Sequence, residues 1–322
     1  MTAGISYHDD HLIEGSVHPL LFGGKPDVEI PAGSAAVSDP VDWDVPSDSL
    51  LAVSFYVQHF HGWITFHRSS YEISYTNEGK VSDSAQWKNA KKIPSWYFVS
   101  GIDVLTPHSH PVVVAIGDSI TEGACSVPNA EHRWSDILTA RLNENASTRD
   151  FVVLNEGIGG NRVVKDSAGP SLLARLDRDV LSQSGVRTVI LLEGINDIGR
   201  TVIPRQTGDA VTADEIIAGY QTVLDKLHRK HIRVIGATVT PFKGAFYFSE
   251  DGEKMRQKLN AWIRAKGHFD AVADFDMAAR DPKLPDHIAA RYDCGDHLHP
   301  NDDGYRVLGR SIDLRLLAPS GK

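Results

Sequence analysis

From residue 112 onward the chain alternates short apolar runs with helical patterns, and no other feature narrows its fold as much. The runs fall at 112–116, 151–154, 188–192, 233–239 and 271–275. Between them Trp134, Ile137, Leu138 and Leu142 share one helix face, and Ile216, Ile217, Tyr220, Leu224 and Leu227 share another. A last helix is predicted after Pro300, with Tyr305, Leu308 and Ile312 facing inward. Strands linked through helices return to the same end of a sheet, so they run parallel and need helices on both faces. In such sheets ligands bind beyond the carboxyl ends of the strands. Chemistry is therefore sought in the residues just after each run.

The first 110 residues have another texture. Segments 49–58, 62–70 and 95–105 are aromatic and β-branched, separated by Pro, Gly, Asp and Asn, with no long helical period. They predict a smaller all-β accessory domain at 1–110, sandwich-like, followed by the α/β domain at 111–322. In the β part His59, His61 and His67 read as exposed strand or turn residues, with metal binding as the alternative. Trp63, Trp87 and the Ser95-Trp96-Tyr97-Phe98 stretch read as core aromatics, with a sugar-binding platform as the alternative.

Four polar, glycine-bearing segments follow the strands of the α/β half. They are Gly117-Asp118-Ser119-Ile120-Thr121, the stretch from Asn155 through Gly160-Asn161-Arg162, Glu193-Gly194-Ile195-Asn196-Asp197, and Cys294-Gly295-Asp296-His297-Leu298-His299. Each could be an ordinary turn, but together they hold what acyl transfer requires. A serine hydroxyl is a weak nucleophile until a base takes its proton, and the base needs an orienting partner. Asp296 and His299, three apart, can set a carboxylate against one imidazole nitrogen while the other faces Ser119. The Ser119 and Gly160 N–H groups and the Asn196 amide can serve as an oxyanion hole. Asp118 and Asp197 read as structural acceptors that hold their turns. Asn161 and Arg162 either touch substrate or pack against the next turn.

These blocks, in this order, resemble the SGNH hydrolases of the GDSL esterase/lipase superfamily, over roughly residues 112–316. The resemblance implies a three-layer α/β/α sandwich with a five-stranded, flavodoxin-like parallel sheet. The β part before it would then be a jelly-roll-like module, whole or truncated. It also implies Ser119, Asp296 and His299 as catalytic residues, Ser119, Gly160 and Asn196 as the oxyanion hole, and neither metal nor organic cofactor. The implied activity is that of a serine carboxylic-ester hydrolase working through an acyl-enzyme. Short acyl esters, acetyl above all, of carbohydrates or simple alcohols are the expected substrates. A lysophospholipase or thioesterase is the alternative within the family, and a non-catalytic carbohydrate-binding protein is the alternative outside it.

Other readings fit less well. The spacing Gly157-x-Gly159-x-x-Arg162 lacks the third glycine of a dinucleotide site and follows the second run of the α/β half. Ser119 lacks the G-x-S-x-G elbow of α/β-hydrolases. Cys294, Asp296, His297 and His299 are potential zinc ligands, yet no second ligand cluster accompanies them in the α/β half. A net charge of −9 over 322 residues offers no surplus for nucleic acid. No apolar run approaches a membrane span. The polar start lacks a signal-peptide pattern, consistent with either a cytoplasmic chain or a processed secreted one. Cys125 lies six residues after Ser119 and Cys294 five before His299. If Ser119 and His299 meet, the cysteines become neighbours, as two buried free thiols or, less expected, as a disulfide.

Overall fold

The computed structural model describes residues 1–6, 12–13, 15–47, 49–59, 62, 64–82, 84, 87, 89–202 and 209–317. The chain divides into two compact units, Met1–Asp103 and Val104–Lys322.

In the first unit strands are short and antiparallel. β1 (Thr2–Ser6) lies between β2 (His18–Pro19) and β3 (Leu50–Ser54). Two ribbons follow: β4 (Phe66–His67) with β7 (Trp96–Tyr97), and β5 (Ser74–Thr76) with β6 (Lys91–Ile93). The long aromatic runs thus pair over only two to five residues. Faces so narrow cannot enclose a ring. Trp96 and Phe98, expected in a core, are 46% and 41% exposed, and Trp87 is half-buried. What this unit buries instead, among the described residues, is small and mostly polar, including Thr2, Ser16, Ser54, Ser70, Ser82 and Ser95. Their hydroxyls satisfy carbonyls across the unit, as from Thr2 Oγ1 to Ser82 O (2.7 Å) and from Ser95 Oγ to Arg68 O (2.6 Å). His59 is exposed and His67 half-buried, while His61 and Trp63 lie outside the described residues.

The second unit carries one parallel sheet of β8 (Val112–Gly117), β9 (Val152–Gly157), β10 (Val186–Leu192), β11 (Arg233–Ala237) and β12 (Ala271–Ala273). Their order is β12-β11-β10-β8-β9. Alternation along the strands sends side chains to opposite faces. Val112, Val114 and Ile116 join Val189, Leu191 and Val234 under α3 (Leu172–Leu176), α4 (Ile195–Gly199), α5 (Ala213–His228) and α6 (Glu250–Arg264). Val113, Ala115, Ile190, Leu192 and Ile235 pack under α2 (Trp134–Glu144), α7 (Phe275–Ala279) and α8 (Asp302–Ser311). The three layers are those expected of an α/β/α sandwich. Two strands end earlier than the apolar runs predict. The run at 271–275 breaks because Asp274 accepts the Met277 N–H and caps α7, and β11 stops at Ala237.

The chain leaves β8 for β9 on one side, then crosses back over β8 to β10 on the other. The strand order therefore reverses between β8 and β10, where open α/β sheets form their ligand crevices. No described helix is long and apolar enough to cross a membrane.

Candidate active site

α1 (Ser119–Glu122) starts directly after β8. Asp118 caps it by accepting the Ile120 N–H at 2.9 Å, so Ser119 becomes its first residue. The short helix rests on the end of the neighbouring strand. A Cβ at Gly157 would fall 2.1 Å from the Glu122 backbone nitrogen, so only glycine admits the contact. Asn155 of β9 fixes α1 further by donating to Thr121 O at 2.7 Å.

His299 arrives from the far end of the chain, in the loop before α8. Its Nε2 lies 2.8 Å from Ser119 Oγ, and its Nδ1 lies 2.6 Å from Asp296 Oδ2. The other carboxylate oxygen, Oδ1, accepts the N–H groups of Leu298 and His299 at 2.9 and 2.8 Å. The carboxylate thus fixes both the ring and the backbone that carries it. Partial burial pushes the Asp296 carboxyl up, but the His299 ring and these N–H groups outweigh it and hold it at about 2. Asp296 is ionised at neutral pH, and a carboxylate there favours the tautomer that leaves Nε2 free to accept a proton.

Cys125 and Cys294 are joined as a disulfide with a Cα–Cα distance of 6.3 Å, correcting the expectation of buried free thiols. Cys125 is exposed. The bond ties the segment after Ser119 to the loop that carries Asp296 and His299. It also occupies a sulfur counted among the potential zinc ligands. His297 stands apart from the Ser119–His299–Asp296 line: its Nδ1 pairs with Asp293 at 2.7 Å and its side chain is exposed.

The segments after β9 and β10 bring the remaining donors. Gly160 adopts φ +78°, a conformation that favours glycine, in the loop after β9. Neither its N–H nor that of Ser119 donates to an acceptor among the described residues. Asn196, near the start of α4, points its Nδ2 to Asn161 O at 3.0 Å, so the two loops are hydrogen-bonded to one another. Asp197 strengthens the tie by accepting the Val163 N–H at 2.7 Å.

Asn161 and Arg162 are turned inward, so of the two readings open for them the structure shows packing against neighbouring segments rather than a face toward substrate. Asn161 is fully buried, donates to Pro170 O and accepts from Arg175 Nε. Arg162 is 1% exposed and donates to Asp197 Oδ1 and Asp209 O. Beneath the Ser119 turn lies an acidic cluster. Burial, with Asp197 and Glu122 nearby, pushes Asp118 up to about 7. Burial beside Asp118 raises Glu193 well above the usual carboxyl range.

Arg175 is the residue near this site that its motifs do not announce. It is buried between Leu172 and Leu176 on the inward face of α3. A charged side chain within an apolar helical stripe is the one signal that marks it.

Residues 115–307 match the model of the GDSL-like lipase/acylhydrolase family. No curated protein matches the chain. Among solved structures, a variant of Axe2, an acetyl-xylooligosaccharide esterase from Geobacillus stearothermophilus, is 22% identical with a TM-score of 0.52, over 66% of this chain and 96% of that one. Unsubstituted Axe2, described as an acetylxylan esterase, is 20% identical over the same shares with a TM-score of 0.51. LAE5, an alpha/beta hydrolase enzyme from the metagenome of Lake Arreo, Spain, is 22% identical over 64% of this chain and 94% of that one, with a TM-score of 0.50. At these identities the likeness is one of fold.

Proposed function

The chain belongs to the GDSL-like lipase/acylhydrolase family, and from that premise we propose a serine carboxylic-ester hydrolase that removes short acyl groups, acetyl above all, from carbohydrates or simple alcohols. The observation that carries the reading is the continuous line from Ser119 Oγ to His299 Nε2 (2.8 Å) and from His299 Nδ1 to Asp296 (2.6 Å). His299 takes the Ser119 proton as Oγ attacks the ester carbonyl. The oxyanion then forms against the Ser119 and Gly160 N–H groups and the Asn196 amide. His299 returns the proton to the departing alcohol, leaving Ser119 acylated. Water, deprotonated by the same imidazole, attacks the acyl-enzyme and releases the acid. Asp296, ionised throughout, orients the ring and balances the imidazolium.

The preference for acetyl is supported by the names of the fold relatives, an acetylxylan and an acetyl-xylooligosaccharide esterase. The test compares hydrolysis of p-nitrophenyl acetate, butyrate and octanoate by the wild type and Ser119→Ala. Acetate is turned over fastest, and the variant falls by about 10³ or more. Fastest turnover of octanoate would replace the acetyl reading by one of lipid esters or thioesters. Equal, weak rates from both proteins would remove Ser119 from the chemistry.

A further inference from the structure

We infer that Arg175 is the positioning residue of this site, one guanidinium that sets the nucleophile turn and the oxyanion donors in register. The inference rests on the acyl-transfer reading above. Arg175 has no exposed side-chain surface, and its N–H groups are spent on four acceptors, three of them in other segments and one, Asp179, a helical turn further on. NH2 donates to Gly117 O at 2.9 Å, the last carbonyl of β8 before Asp118 and Ser119. NH1 donates to Glu156 O of β9 at 2.6 Å and to Asp179 at 3.0 Å. Nε donates to Asn161 Oδ1 at 2.9 Å, and the carbonyl of the same Asn161 accepts from Asn196 Nδ2. The guanidinium therefore reaches the turn of Ser119 directly, the neighbour of Gly160 directly, and Asn196 through one residue.

The charge balance is suited to the task. Asp179, at 3.0 Å, supplies the counter-charge of the guanidinium, while Glu193, held toward its neutral form by burial, only approaches NH2 at 3.7 Å. A planar fork with five N–H donors can bridge two strand ends and a loop at once, whereas an ammonium, a point donor, cannot hold all three directions. Oxyanion donors act because they are fixed before charge develops, so a displacement of one loop against the other weakens the transition state and leaves the bound ester unaffected.

The experiment compares Arg175→Lys with Arg256→Lys. Arg256 is an equally buried guanidinium on α6, bound to Glu253, Val239 O and Asp276. With p-nitrophenyl acetate, Arg175→Lys lowers kcat about 10²-fold with KM within about twofold. Its affinity for phenylboronic acid, which forms a tetrahedral adduct on the serine, falls by a similar factor. Arg256→Lys lowers Tm but keeps kcat and boronate affinity within about twofold. Asn161→Leu, which removes the Oδ1 acceptor of Arg175 together with the Nδ2 donation to Pro170 O, keeps the test open if Arg175→Lys does not fold, and lowers kcat about tenfold with the same KM split. Matched kcat losses in the two lysine variants, or lost kcat with unchanged boronate affinity, overturn the inference. If Ser119→Ala retains full activity in the same assay, the acyl-transfer reading fails first and takes the inference with it. An inactive Ser119→Ala beside an unimpaired Arg175→Lys overturns the inference alone.

Discussion

The two units draw on similar residue types and bury different things. Residues 104–322 bury valines, isoleucines, leucines and rings on both faces of a five-stranded sheet. Among the described residues of the first unit, those fully buried are glycine, serine or threonine, and Phe66, Trp96 and Phe98 stand out in solvent. The difference lies in what the strands can cover. A strand six residues long, flanked on both sides and roofed by helices, loses every side chain from water, as β8 does. A two-residue ribbon has no face to roof. Hydrophobic content becomes core only when strand length and a second layer come with it.

The strongest way to break this comparison is to make each unit alone. Residues 104–322 are expected to melt cooperatively by circular dichroism and residues 1–103 to show no cooperative transition, because a chain of that size needs buried apolar area to fold. A sharp melt from 1–103 would show that its hydroxyl network suffices. Next in size is a pair of ring truncations. Phe275→Ala, fully buried and edge-on to Trp134 at 5.4 Å, should cost about 3–5 kcal/mol in urea unfolding. Trp96→Ala should cost less than about 1 kcal/mol. Similar losses would place Trp96 in an apolar environment after all.

The smallest effect sharpens the comparison within the second unit, between two carboxyls of one site. Asp296 is held at about 2 and Asp118 is pushed up to about 7. Folded Asp118 keeps a proton that the unfolded chain has released, so its burial costs stability as pH rises from its ordinary value toward 7. Asp118→Asn keeps the acceptor for the Ile120 N–H and removes the ionisation. It should therefore raise Tm relative to the wild type by several degrees more at pH 8 than at pH 4.5. An equal offset at both pH values would mean that Asp118 ionises in the fold as easily as outside it.

Much of the second unit was legible because its signals are local. Strand and helix periods repeat within a few residues, and the four polar blocks stand where strand ends must stand. The long helix α6 escaped that reading, although Leu259, Trp262 and Ile263 face the core, because Arg256 and Asn260 share its buried side and blur the stripe. Asn161 and Arg162 stayed open between substrate contact and packing for a related reason. Polar residues beside a glycine loop suggest a ligand, and only the positions of Asp197, Asp209 and Arg175 reveal that they point inward. Arg175 itself answers to main-chain carbonyls 19 and 58 residues away, and a carbonyl leaves no trace in a sequence. In the first unit, aromatic and β-branched runs announced strands, but where pairing stops is set by partners far along the chain.

The disulfide gives the molecule a different topology from the one its linear sequence suggests. Cys125 and Cys294 stand 169 residues apart, so β9 through β12 and most of the helices hang on a closed covalent ring. On a chain-entropy basis, closing a loop of that size is worth about 5 kcal/mol against unfolding. Such bonds persist where the surroundings are oxidising. A protease that cuts once inside the ring opens it without dividing it. The strand that delivers Ser119 and the loop that delivers His299 remain one molecule, joined beside the place where those two side chains meet.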